Sequence, residues 1–169
     1  MDRKVLIVAG PNGAGKTTFA RQVLAFDREL AFVNPDEIAA RLNPASAMPW
    51  DLHAARHLLG LLDRLAVLRQ SFLLETTLAG RAYVRRIHAW RAAGYRVGMV
   101  FLGLASPDLA VERVRVRVRQ GGHGVPEADI RRRFFAGLSN FRTLYAPIVD
   151  RWQFLDCSTG LRILQEKFP

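Results

Sequence analysis

Gly10-Pro11-Asn12-Gly13-Ala14-Gly15-Lys16-Thr17 is a complete Gly-x-x-x-x-Gly-Lys-Thr stretch, and its flanks decide the fold. Val5-Leu6-Ile7-Val8-Ala9 before it is apolar and β-branched, as a fully buried parallel strand is. The segment from Thr17 to Leu24 reads as the start of a helix. Strand, glycine loop and helix therefore follow in the order that a phosphate-binding loop requires. Its glycines let successive backbone N–H groups turn inward onto phosphate oxygens, beside a helix N-terminus that favours anions. Pro11, Asn12, Gly13, Ala14, Gly15, Lys16, Thr17 and Thr18 are expected to hold the triphosphate of ATP. Lys16 reaches the β- and γ-phosphates in this reading, and the Thr17 hydroxyl ligates Mg²⁺.

The 169 residues are 50% hydrophobic, enough for a single domain, 1–169, with a real core. No run approaches the roughly 18 uninterrupted apolar residues of a membrane span. Met1-Asp2-Arg3-Lys4 leads into a strand too short for the apolar region of a signal peptide. The lone Cys157 allows no internal disulfide and suits a reducing, cytoplasmic setting. The net charge is +10, and 22 of the 25 basic residues are Arg, which points to an anionic partner.

Further along, Ala31-Phe32-Val33 reads as a short strand closed by Asn34-Pro35-Asp36, and residues 42–50 as a loop. Leu58, Leu61, Leu62, Leu65 and Leu68 have helical spacing. Ser71 to Leu74 is a third strand that delivers Glu75-Thr76-Thr77, Arg81 to Ala93 a helix stopped by Gly94, and Tyr95 to Leu104 a fourth strand. Val114-Arg115-Val116-Arg117-Val118-Arg119 alternates like a strand but reads as helix, because Ser106-Pro107-Asp108 starts one and Gly121-Gly122 stops it. Its apolar face is then Ala110, Val111, Val114 and Val118, with Arg113 and Arg117 on one flank as the candidates for ligand contact. Arg115 and Arg119 lie on the other, charge-paired flank, with Glu112 near Arg115. Pro126 opens a helix with core positions Ile130, Phe134, Leu138 and Phe141. Trp152 to Leu155 is the last strand, before a short terminal helix. Repeating βα units give a three-layer α/β fold of the P-loop kinase type, with a five-stranded parallel sheet and a helical, arginine-bearing lid over about residues 107–146.

Ligands of such a sheet bind at the carboxyl ends of its strands. Phosphoryl transfer needs an acceptor oxygen deprotonated and aligned with the γ-phosphate, and Asp36 and Glu75 are the carboxylates available there. Asp36 alternatively caps the helix it begins, and Glu75 alternatively serves the metal site with Thr17. Arg131-Arg132-Arg133 spans about 200° of helix surface, so at most two of the three face one site. They form either part of a closing lid or a nucleic-acid patch. His123 either touches phosphate or orders its loop. Neither the Asn-Lys-x-Asp of guanine-specific switches nor the Leu-Ser-Gly-Gly-Gln of transporter ATPases occurs.

The series Gly-Pro-Asn-Gly-Ala-Gly-Lys-Thr-Thr, Asn-Pro-Asp-Glu-Ile-Ala, Phe-Leu-Leu-Glu-Thr-Thr-Leu-Ala-Gly-Arg and Arg-Val-Arg-Gln-Gly-Gly-His-Gly-Val-Pro-Glu resembles the zeta-toxin family of P-loop kinases, in its short bacterial branch. The resemblance implies ATP- and Mg²⁺-dependent phosphorylation of a small-molecule hydroxyl, with UDP-N-acetylglucosamine as the family's acceptor, and a small antitoxin protein as partner. Asp36 then matches the general base, and Glu75, Thr76, Thr77 and Arg81 the substrate contacts. Arg117 with Arg132 or Arg133 matches the phosphate-clamping arginines, beside Lys16. The chain is shorter than the well-studied toxins, and Glu-Thr-Thr stands where they carry Glu-Gly-Thr. Two alternatives stand beside this reading: an ATPase switch or nucleic-acid-associated ATPase, and a kinase of nucleosides or RNA ends.

Overall fold

Side chains along the first strand, β1 (Lys4–Ala9), alternate between two separate cores. Val5, Ile7 and Ala9 join a cluster on one face of the sheet, and Val8 one on the other. Burial on both faces is why the run is continuously apolar rather than alternating. The computed structural model describes residues 3–42 and 52–167. After β1 come α1 (Lys16–Phe26), β2 (Ala31–Val33), α2 (Pro35–Leu42), α3 (Leu52–Val67), β3 (Phe72–Thr76), α4 (Val84–Ala92) and β4 (Arg96–Gly103). The remainder is α5 (Pro107–Arg119), α6 (Glu127–Asn140), a π-helical turn (Phe141–Tyr145), β5 (Arg151–Asp156) and β6 (Arg162–Lys167).

The strands lie in the order β2-β3-β1-β4-β5-β6. β2 through β5 pair in parallel, so the expected βα architecture holds. The sheet has six strands rather than five, because the segment read as a terminal helix is β6, antiparallel to β5. Leu164, Gln165, Glu166 and Lys167 favour helix locally, but pairing with β5 outweighs that preference and covers an otherwise open sheet edge. Residues 42–50, read as a loop, lie outside the described residues apart from Leu42. No helix among the described residues is long and apolar enough to cross a membrane.

The alternating valine-arginine stretch is helical as read. Ser106 Oγ caps α5 by accepting from Leu109 N at 3.1 Å, and the helix runs to Arg119. Its apolar face is shorter than expected: Ala110, Val111 and Val114 are buried, whereas Val118 is exposed. Arg115 pairs with Glu127 of α6 at 2.8 Å rather than with Glu112, so the charged flank joins two helices instead of two turns of one.

One glycine fixes how α6 sits. A Cβ on Gly137 would lie 2.3 Å from Thr77 O, so the helix touches the loop after β3 at that point. A Gly137→Ala variant is therefore expected to lose about 1–3 kcal/mol of stability, as overpacked interiors do, read from urea denaturation midpoints.

Candidate active site

The phosphate loop leaves β1 through a gap that admits no side chain. Gly10 has φ 143°, and a Cβ there would fall 2.2 Å from Leu102 O of the neighbouring strand. Gly13 has φ 80°, and a Cβ there would fall 2.9 Å from Ala110 O and 3.1 Å from Arg113 Cβ, so the loop rests on α5. Pro11, Asn12 and Ala14 are buried, and Gly15 caps α1, whose first residue is Lys16. Thr18 faces outward and is exposed. The Lys16 side chain is buried and donates from Nζ to Pro11 O at 2.9 Å. Burial pushes its ammonium below the ordinary lysine range, opposed by the charges of Glu75 and Asp36 and reinforced by Arg117 and Arg133.

Glu75 is the centre of the polar edge. It lies within β3 rather than after it, opposite Val8 of β1, with Thr76 opposite Ala9. This register sets the carboxylate beside the start of the phosphate loop. The Thr17 hydroxyl stands 3.0 Å from each Glu75 carboxylate oxygen, and Asn34 Nδ2 donates to Oε2 at 3.2 Å. Burial raises the Glu75 pKa, while Lys16 and the Thr17 hydrogen bond pull it back; Asp36 and Glu37 add to the rise.

Asn34 takes the capping role that was also open to Asp36. Asn34 Oδ1 accepts from Asp36 N at 2.9 Å and from Glu37 N at 3.4 Å, so Asn34 is the cap of α2. The Asp36 carboxylate is thereby released from capping, and Asp36 lines a cavity of about 350 Å³. Lys16, Asn34, Glu75, Thr76 and Thr77 line the same cavity, together with Arg132 and Arg133 from α6. Its remaining wall is small and aromatic: Ala79, Gly80, Ala82 and Tyr83. Burial raises the pKa of the Tyr83 hydroxyl, which hydrogen-bonds with Thr76.

Asn34 and Tyr83 were not among the residues singled out from sequence. Asn before Pro-Asp is a readable cap signal, with Pro at the first helical position. Tyr83 has no such signal, because it enters the cavity through the irregular turn before α4. That turn also moves Arg81 out of the helix expected from residue 81. Arg81 is exposed and lies outside the cavity lining.

The arginines divide by partner. Arg131 bonds Glu127 and Asp108 outside the cavity, whereas Arg132 and Arg133 line it, as a span of 200° allows. Arg132 Nη2 also holds Asp129 at 2.8 Å. Arg113 is committed to main chain, donating to Cys157 O at 2.8 Å and Ser158 O at 2.7 Å. Arg117 Nη2 donates to His123 O at 2.6 Å, so His123 contributes its carbonyl to loop order.

Thr17 and Glu75 supply hard oxygen donors side by side at the loop. Among the described residues no group of three or more metal-ligating side chains forms. A pair of this kind suits Mg²⁺, which keeps several waters and takes one or two protein oxygens together with phosphate.

Comparisons with known proteins agree with this architecture. An uncharacterized protein of Haemophilus influenzae is 26% identical over 136 residues, spanning 79% of this chain and 94% of its own. A chain of the PezAT chromosomal toxin-antitoxin system of Streptococcus pneumoniae superposes with a TM-score of 0.76 at 19% identity, over 98% of this chain and 71% of that one. A gluconokinase from Sinorhizobium meliloti superposes with a TM-score of 0.56 at 19% identity, over 93% of this chain and 84% of its own. The fold is thus that of the P-loop kinases, and the sequence profile of the AAA domain family matches residues 5–134. The chain belongs to the AAA domain family.

Proposed function

We propose that this protein is an ATP-dependent kinase that moves the γ-phosphate of ATP to a hydroxyl of a small molecule. The observation that carries this reading is the Asp36 carboxylate, released from capping by Asn34 and lining the cavity that the phosphate-loop lysine enters. That cavity continues past the phosphate-loop lysine to Thr77, Gly80 and Tyr83, room that ATP hydrolysis alone does not need. Lys16 bears the charge of the β- and γ-phosphates, and Asp36 receives the proton of the acceptor hydroxyl as it attacks phosphorus. Arg132 and Arg133 neutralise charge on the transferring group and help to exclude water. Mg²⁺ held through Thr17, with Glu75 beside it, supplies further neutralisation of the phosphate oxygens when bound. Thr76, Thr77 and Tyr83 orient the acceptor.

The acceptor proposed is a nucleotide sugar, with UDP-N-acetylglucosamine first among those to test, by resemblance to the zeta toxins. The PezAT neighbour supports a toxin role with a small antitoxin partner as a finer proposal. Against the nucleic-acid alternative, Arg131 is paired with Glu127 and Asp108, and Arg132, held by Asp129, lines the cavity with Arg133. Incubation with γ-labelled ATP and a panel of nucleotide sugars, nucleosides and RNAs tests the reading directly. Label on a nucleotide sugar supports it, and ATP hydrolysis stimulated only by RNA or DNA overturns it.

Asp36→Ala is expected to lower transfer by about 10²–10⁴-fold while ATP affinity changes little. Unaltered turnover would remove Asp36 from the mechanism. Lys16→Ala should lose both turnover and most ATP affinity, measured by titration calorimetry.

The raised pKa of Glu75 carries a pH signature. Its carboxylate is needed for the metal, and protonation sets in at higher pH than for an ordinary glutamate. The enhancement of ATP binding by Mg²⁺ should therefore weaken on acidification before pH reaches the usual glutamate range. Glu75→Gln should abolish that pH dependence, and an unchanged profile in the variant would assign it to another group.

A further inference from the structure

The Gly121-Gly122-His123 segment takes no part in the reaction described above, yet it encloses one side chain closely. Gly122 N donates to Arg117 O at 2.9 Å, and Gln120 N donates to the same carbonyl at 3.1 Å. A Cβ on Gly122 would lie 2.6 Å from Arg117 Cγ and 3.0 Å from Arg117 O. His123 O receives Arg117 Nη2 at 2.6 Å. The stem and the far end of Arg117 are thus both guided by main chain, with no use of the imidazole.

Arg117 lies one turn beyond Arg113, so the two share a face of α5. That is the face on which the phosphate loop rests, since Gly13 meets Arg113 Cβ there. Arg117 also acts electrostatically on Lys16. Its Nε is buried and has no acceptor; among the described residues Asn12 Oδ1 is the other such side-chain atom. A buried guanidinium N–H without an acceptor is costly, and a phosphate oxygen satisfies it with a charge-assisted bond.

We propose that Gly121-Gly122-His123 is a main-chain collar that aims Arg117 at the bound triphosphate, which makes Gly122 a positioning residue. The inference rests on reading the phosphate loop as an ATP site, but not on the identity of the acceptor. It explains why glycine stands at position 122: any larger residue displaces the arginine stem. It also separates Arg117 from Arg132 and Arg133, which reach the cavity from α6.

The test is a double-mutant cycle on affinity for a non-hydrolysable ATP analogue with Mg²⁺, read by titration calorimetry on the full chain. Arg117→Ala should weaken binding by about tenfold or more. Gly122→Ala should cause most of that loss in the parent protein and no further loss when combined with Arg117→Ala. Gly124→Ala, whose Cβ would meet only Val118 Cγ2 at 3.5 Å, should bind like the parent. Parent-like affinity in Gly122→Ala, or additive losses in the double variant, overturns the collar. Thermal melts establish that each variant is folded. Should Gly122→Ala not fold, Arg117→Lys decides: it keeps the charge but has no fork to span carbonyl and phosphate. Weak binding in Arg117→Lys supports the collar, and full affinity overturns it. A parent protein that does not bind the analogue overturns the ATP site together with the collar. Analogue binding without phosphoryl transfer counts against the kinase reading alone.

Discussion

A buried carboxylate is expensive, and the polar edge of this sheet is organised around one. Glu75 is the penultimate residue of a strand buried at every position, where an unpaired charge would cost several kcal/mol. Three partners offset that cost: the Thr17 hydroxyl, the Asn34 amide and the Lys16 ammonium. Lys16 and Thr17 come from the junction of the phosphate loop with α1 and Asn34 from the end of β2, so satisfying one carboxylate fixes the phosphate loop, the end of β2 and the end of β3 relative to one another. The chain of bonds extends further. The Asn34 side chain that donates to Glu75 also accepts the α2 amides, and so the position of Asp36 depends on a carboxylate it never touches. Satisfied networks of this kind hold geometry more firmly than their separate bonds suggest.

Charge on the α5 and α6 helices is divided in the same economical way. A net charge of +10 suggests an indiscriminate cationic surface. Instead, Arg115 and Arg131 are taken up in exposed pairs with Glu127 and Asp108, which solvent and salt screen. Their worth lies in placing α5 against α6, not in stability. Arg113 ties α5 to the carbonyls that follow β5. The arginines that act on the buried Lys16 are a small set, Arg117 and Arg133, while Arg132 lines the cavity but stays largely exposed beside Asp129. Low dielectric around Lys16 strengthens the effect of those two charges.

Much of this was legible in the chain because the signals are local. The glycine loop carries its own backbone requirements, and the buried strands carry their apolar runs. The cap at Ser106 outweighed the period of two that follows it, since a helix start is decided over a few residues. The errors arose where distant partners decide. β6 is a strand because β5 offers an edge, and nothing within Arg162 to Lys167 says so. Arg115 found Glu127 because α6 folds back alongside α5. Tyr83 reached the cavity because the turn before α4 is irregular. Arg81 left it for the same reason.

The cavity wall formed by the loop after β3 is braced from below. Asn140 Nδ2 donates to Leu78 O at 2.8 Å, and Tyr145 donates to Gly80 O at 2.7 Å; burial raises the pKa of that hydroxyl to about 12, so it keeps its proton. With Gly137 against Thr77 O, these contacts fasten the end of α6 and the π-helical turn to the wall of the cavity at three successive points. Arg132 and Arg133 lie near the middle of the same helix, about one turn before Gly137, so that contact also sets how far they stand from the cavity wall. The π-helical turn that follows carries Tyr145 to Gly80, an irregular helix of the kind that recurs at functional sites.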